Sequence, residues 1–359
     1  MAVGIGAEQV TGGQPAPGIA PPGTQRRRQR PLRLPRSPKI IAGLAILAFF
    51  ALWSVVGPLV RPYSPDQVFA NATSPLAPSG AHWLGTTQAQ QDVFSQMLVG
   101  GGDMLLVSLI AGVIATALSV VIGVSAGYLG GLTDELLSML ANIFLVMPAL
   151  PLLVILFGFL GKTGSNDLFL VGLIISVTGW GWGARVLRAQ TLSLRNRDYV
   201  DSARIIGERR SRIIFAEILP NLTPIVASSF LFTVLYAVGT YTAMAFLGLV
   251  NPNWSWGGIL YYAAGDNAAV SGYWWWYIPP GLAVALLGTA LVLLNFGIDE
   301  FINPRLRAAG MARRSGAGRR DRNLRSQQFG LTPVIRTVSG TPLDSPPEPQ
   351  GIATHGGLA

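Results

Sequence analysis

The chain has 359 residues, 50% of them apolar and only 12% charged, about half the charged share of an ordinary soluble domain. With so few charges to face water, a soluble globular protein is excluded. The net charge of +9 and a pI near 10.3 would suit a nucleic-acid binder, but here Arg and Lys flank long uncharged runs instead of studding a charged surface, so nucleic acid is excluded as a partner. There is no cysteine, which removes disulfides, thiolate metal sites and thiol nucleophiles. His82 and His355 are the two imidazoles, neither with a second ligand at a useful spacing, so no metal or cofactor is expected in this chain.

Residues 1–39 are rich in Gly, Pro, Ser and Arg and read as a disordered basic tail, either resting near anionic lipid or acting as a topology signal. Residues 40–307 hold the membrane domain. A span needs about 20 apolar residues to cross roughly 30 Å of hydrocarbon. Ile40 to Val60, Met104 to Thr133, Leu136 to Gly161 and the shorter Leu168 to Ala184 each run without a charge. Two more spans are expected near 222–249 and 279–298, with Asn251, Pro252 and the pair Gly257 and Gly258 as punctuation between them. The first run, 21 residues, exceeds the roughly 7 to 15 of a signal-peptide core and is read as a retained span. Residues 308–359 form a second basic tail of the same character.

The fold class is therefore an all-α membrane protein with six transmembrane helices. Twenty-four of the 26 Lys and Arg lie in the two tails and the segment 185–220, while the alternate side keeps Arg61 and Lys162. Positive charge is retained inside, so both termini and the long middle loop are expected to be cytoplasmic. All 17 acidic residues fall outside the spans as drawn, which argues against ion coupling through a buried carboxylate. Gly161, Lys162 and Thr163 mimic the end of a phosphate loop, but the glycine required five positions before Gly161 is Leu156, so an ATP site in this chain is not expected.

The middle loop carries a helical pattern from Leu192 to Ile206. Val200, Ala203 and Ile206 share one side and Arg197, Asp201 and Arg204 another; Gly207 is the expected stop. A second basic helix, Glu208 to Leu219, is expected to close at Pro220. Periodicity alone leaves two readings open, a docking knob for a cytoplasmic partner or an interfacial helix pair among headgroups.

The run Asp198-Tyr199-Val200-Asp201-Ser202-Ala203-Arg204-Ile205-Ile206-Gly207, followed by Ile218-Leu219-Pro220-Asn221, resembles the E-A-A-x-x-x-G loop of binding-protein-dependent ABC importer permeases of the dipeptide/oligopeptide type. Asp201 and Ser202 stand where the signature has Glu and its first Ala. The resemblance covers about 40–307. His82-Trp83-Leu84-Gly85-Thr86 and Gln91-Asp92-Val93-Phe94-Ser95 are similar to the family's outer L-G-T-D-x-x-G-R-D-V-x-S segment, with Thr87, Gln90 and Gln91 replacing its Asp, Gly and Arg. Ala126-Gly127-Tyr128-Leu129-Gly130-Gly131 with Asp134, Pro148, and Ala245-Phe246-Leu247-Gly248-Leu249 fit further family positions.

The resemblance implies a multi-pass protein of a bacterial inner membrane that forms half of a translocation path with a homologous second permease. Separate cytoplasmic ATPase subunits would bind ATP and Mg and receive the coupling helix through Tyr199, Asp201, Ser202, Ala203, Gly207 and Pro220. An extracytoplasmic solute-binding protein would deliver peptides, or alternatively oligosaccharides. The aromatic segment 251–280 reads either as an interfacial belt or as an outer gate involving Trp254, Trp256 and Asp266. An ion-coupled secondary transporter and a non-transporting scaffold are the rival classes.

Overall fold

A computed structural model describes residues 37–69, 75–250 and 254–302, and most of them are helical. The expectations for the two tails, except for the first residues of the opening helix, and for Asn251 and Pro252, lie outside the described residues. Helices α1 (Pro38–Val60), α2 (Val93–Leu129), α5 (Leu168–Leu194), α8 (Leu219–Phe246) and α10 (Trp274–Ile302) are each long and apolar enough to cross a bilayer. Local chemistry fixes their starts. Pro38 sits in the first turn of α1, where its missing N–H costs nothing. The Asp92 carboxylate accepts the Ser95 N–H at 2.7 Å to cap α2, and Asp167 accepts those of Phe169 and Leu170 to cap α5.

The expected third span is broken. Helices α3 (Gly131–Val146) and α4 (Ala149–Gly164) meet at 88°, so the bundle has five clear spans, or six if this bent pair crosses as one. The break sits at Met147, which is extended (φ −67°, ψ 127°) because the following Pro148 forbids it the helical region. Apolar content, which defined the span in sequence, does not register this.

Helix α2 starts eleven residues before the expected Met104 and is 37 residues long, about 55 Å at 1.5 Å per residue. Asp103 is therefore inside a spanning helix. Every acid lies outside the spans as drawn, but α2 reaches back over Asp103, so the argument drawn from that placement against ion coupling does not extend to this helix.

The tightest packing joins α2 to α5, where small residues let the backbones approach. A Cβ on Gly127 would stand 2.7 Å from the Thr191 side chain and 2.8 Å from the Arg188 carbonyl; one on Gly183 would stand 2.6 Å from Ser119 Oγ. Ser119 Oγ donates across the seam to the Trp180 carbonyl at 2.7 Å. At one end of the seam Arg188 grips Asp134 of α3 through two hydrogen bonds, Nη2 to Oδ2 being 2.7 Å. The other helices lean on this pair: α8 packs on both members, and α10 packs on α1 and α8.

One short helix packs at the opposite end. Helix α9 (Trp256–Gly265) includes Gly257 and Gly258, expected to interrupt the chain; a Cβ on Gly257 would meet the Thr242 carbonyl at 2.6 Å, so its absence lets α9 rest on α8. Its cap is Ser255, whose hydroxyl accepts the Gly258 N–H at 3.1 Å.

The seam gives the first prediction. Gly127→Val should force α2 and α5 apart at a cost of about 1–3 kcal/mol, lowering the unfolding temperature of the detergent-solubilised protein. Gly158→Val, where nothing lies within 4 Å of the added group, should leave that temperature unchanged in the same assay.

Candidate functional site

The loop between α5 and α8 forms a compact elbow. After Leu194 the chain leaves the helix for three residues and re-enters as α6 (Asp198–Ile205), so the expected single helix from Leu192 is two. Asp198 and Asp201 lie in the first turn of α6 and Arg204 in its last, each favourable to the helix dipole. One side chain seats the element: Val200 is fully buried among Val124, Tyr128, Ile213, Ile218 and Leu222, drawn from α2 and the start of the fifth span.

The end of α6 is fixed by Gly207. Its φ of +85° is a left-handed conformation that costs other residues roughly 1–2 kcal/mol. Glu208 N–H donates to the Ala203 carbonyl at 3.1 Å and Gly207 N–H to Arg204 at 3.0 Å, the pair of bonds that closes a Schellman turn. A Cβ on Gly207 would meet nothing within 4 Å. Within this chain, then, the backbone angle and not crowding demands glycine.

The signature residues are brought together on this elbow. Asp201 accepts from Arg204 Nη1 at 2.8 Å, and the Arg204 guanidinium lies 5.4 Å over the Tyr128 ring. Ser202 Oγ turns back to the Asp198 carbonyl at 2.8 Å, and Ala203 is partly buried beside Val200. Tyr199 stays partly exposed above Asn221. Ile206 was expected on the buried side with Val200, but it lies beyond the last turn and is 79% exposed; its neighbour Ile205 is 86% exposed. The elbow tip thus shows two bare isoleucines beside Gly207, a feature that helical periodicity cannot reveal because the helix has already ended there.

Pro220 does not close the second helix. Helix α7 (Arg210–Arg212), a π-helical segment Ile213–Ile218 and α8 run on as one rod. A proline ring would strike the carbonyl four residues back in a regular α-helix; the wide turn immediately before Pro220 takes up that clash. The elbow is therefore joined to the fifth span by continuous helix.

At the opposite end, the segment leading into α2 is a folding device. His82 Nδ1 lies 2.9 Å from Asp92 Oδ1 with both groups buried, and Asp92 Oδ2 accepts Ser95 N–H and Oγ–H at 2.7 Å each. Gln90, where the resembling pattern has glycine, adopts φ +62°. Gln91, in place of its arginine, accepts from Gln96 Nε2 at 2.9 Å.

The three gate candidates are not gathered. Trp256 is wholly buried; its indole donates to the Met97 carbonyl at 3.1 Å and meets the Phe50 ring edge-on, so in this chain it is a core residue. Trp276 is buried as well. Trp254 is half-buried, with its carbonyl pressed against Gly100 of α2, and Asp266 is exposed just past the end of α9.

Residues 119–308 match the family described as binding-protein-dependent transport system inner membrane component. The oligopeptide transport system permease protein OppC of Mycobacterium bovis is 31% identical over 279 residues, spanning 77% of this chain and 94% of that protein. The dipeptide transport system permease protein DppC of Bacillus subtilis is 30% identical over 277 residues, 77% of this chain and 84% of its own length. OppC of Bacillus subtilis is 29% identical over 277 residues, 76% and 88%. Matched over most of both lengths, with the signature residues on a single elbow, this chain belongs to the family of binding-protein-dependent transport system inner membrane components.

Proposed function

We propose that this chain is the peptide-conducting permease subunit of an ATP-driven importer and that its elbow is where a separate cytoplasmic ATPase pushes. The supporting observation is mechanical. Residues Asp198–Gly207 form a knob seated by Val200, with exposed Tyr199, Ile205 and Ile206 on its surface and open space around Gly207. A cleft in a partner could close on that knob with the glycine backbone in direct contact. Displacement of the elbow would travel along the unbroken rod from Arg210 to Phe246, about 55 Å of helix, into the membrane.

The peptide class is supported by the names of the relatives, which are oligopeptide and dipeptide permeases. The oligosaccharide alternative has less support: no relative named here carries such a cargo, and Trp256 and Trp276 of the aromatic segment are core residues. Trp254 and Asp266 remain the gate candidates at the end opposite the elbow. ATP and Mg would be bound by the ATPase subunits, a homologous second permease would complete the path, and a solute-binding protein would bring cargo to the outer face. The charge distribution supports an orientation with both termini and the elbow in the cytosol, since eight Lys and Arg lie within 185–220.

Affinity-purified chain should bring down a second permease and an ATPase. Gly207→Arg should cut ATPase recovery at least ten-fold while the spans keep their detergent unfolding temperature; undiminished ATPase binding would reject the elbow assignment. Because the chain lacks cysteine, a single Ser202→Cys can be labelled cleanly. Labelling by an impermeant maleimide is expected in inverted vesicles and not in intact cells, and the reverse pattern would invert the topology. Uptake by the assembled complex in proteoliposomes should require ATP and proceed without a proton or sodium gradient.

A further inference from the structure

Asp103 is a carboxylate in a place that membrane proteins rarely fill with one. The rings of Trp53 and Trp83 pack on Phe94 at 6.2 and 5.0 Å, and Trp53 Nε1 donates to the Met97 carbonyl at 3.1 Å. Indoles of this kind collect at the membrane–water boundary. Asp103 lies six residues beyond Met97 on α2, about 9 Å deeper. It is exposed and shares an open stripe of α2 with Leu106, Leu109 and Val113. Among the described residues it has neither an ion pair nor a hydrogen bond.

Thr242 Oγ1 of α8 stands 3.5 Å from the sulfur of the adjacent Met104. Gly100, Gly101 and Gly102 precede Asp103 without side chains to cover it. An acid against lipid tails would be strongly disfavoured, so carboxylates at this depth face a bundle interior or a watery cavity and meet a cation there. Helical side chains lean toward the amino end of their helix, which aims this one at the mouth opposite the elbow.

We propose that Asp103 lines the translocation path and receives the ammonium group of the cargo, either the amino terminus of a peptide or a lysyl side chain. This assignment rests on the peptide reading above. It gives the path a counter-charge that holds a cationic end near the outer mouth while the rest of the cargo passes the apolar stripe below.

The test uses the complete transporter with its binding protein in proteoliposomes and three probes: Ala-Ala-Ala, N-acetyl-Ala-Lys-Ala amide and N-acetyl-Ala-Ala-Ala amide. Asp103→Asn should lower Ala-Ala-Ala uptake at least ten-fold with the complex still assembled, and Asp103→Glu should restore at least half of the lost rate. A loss confined to Ala-Ala-Ala identifies the amino terminus, and one shared by the lysyl probe adds the side chain; both outcomes support the assignment. Wild-type rates in Asp103→Asn, or an equal loss for the probe with no ammonium group, would overturn it. Uptake of none of the probes by the wild type would overturn the peptide reading, and this one with it. Independently of cargo, Asp103→Cys should react with a water-soluble cationic methanethiosulfonate, and an unreactive thiol would mean that the position faces lipid.

Discussion

The close seam between α2 and α5 is the constraint on which the architecture depends. In hydrocarbon two helices gain nothing by hiding apolar surface, so what holds them is contact area and hydrogen bonding. The small residues at 119, 123, 127 and 183 supply both, bringing backbones together and letting Ser119 bridge to the Trp180 carbonyl. The Asp134 and Arg188 pair locks the same seam to α3 where polar groups become affordable again. Once the pair is fixed, α8 has a surface to pack on, and the elbow has a floor in Val124 and Tyr128 of α2.

The elbow joins that floor to a lever. Val200 pins α6 against the pair, while the helix resuming at Arg210 leads directly into α8. A push on the knob therefore has two routes, a packing contact into the scaffold and a covalent helix into the fifth span. The close seam backs the first, and continuous helix from Arg210 to Phe246 carries the second. Such a division suits a subunit whose work is to convert contact at one membrane face into a change at the other.

Much of this was legible in the sequence because its causes are local. Gly207 follows a short helical pattern, and its left-handed backbone needs only a few neighbouring residues to explain it. The long apolar runs announced most spans. What stayed hidden depends on partners distant in sequence or on backbone geometry. Trp256 looked like an interfacial ring because nothing in its own segment says that Met97 and Phe50 surround it. The bend at Met147 is invisible to apolar counting, and the extension of α2 back to Val93 was masked by Gln96, Gly100–Gly102 and Asp103, which read as polar or helix-breaking. Ile205 and Ile206 look like core residues until the helix end is located.

The wide turn at Ile213–Ile218 has a geometric corollary. Each residue advances an α-helix by about 100°, so one extra residue inside a turn sets everything before it at a different azimuth from everything after it. The direction in which α7 leaves the membrane, and with it the compass bearing of the knob, is thus set by this single surplus residue. Removing one position there would straighten the helix and swing the bearing by roughly a quarter of a circle. The orientation of the elbow relative to the fifth span is in this sense written into the count of residues along one shaft.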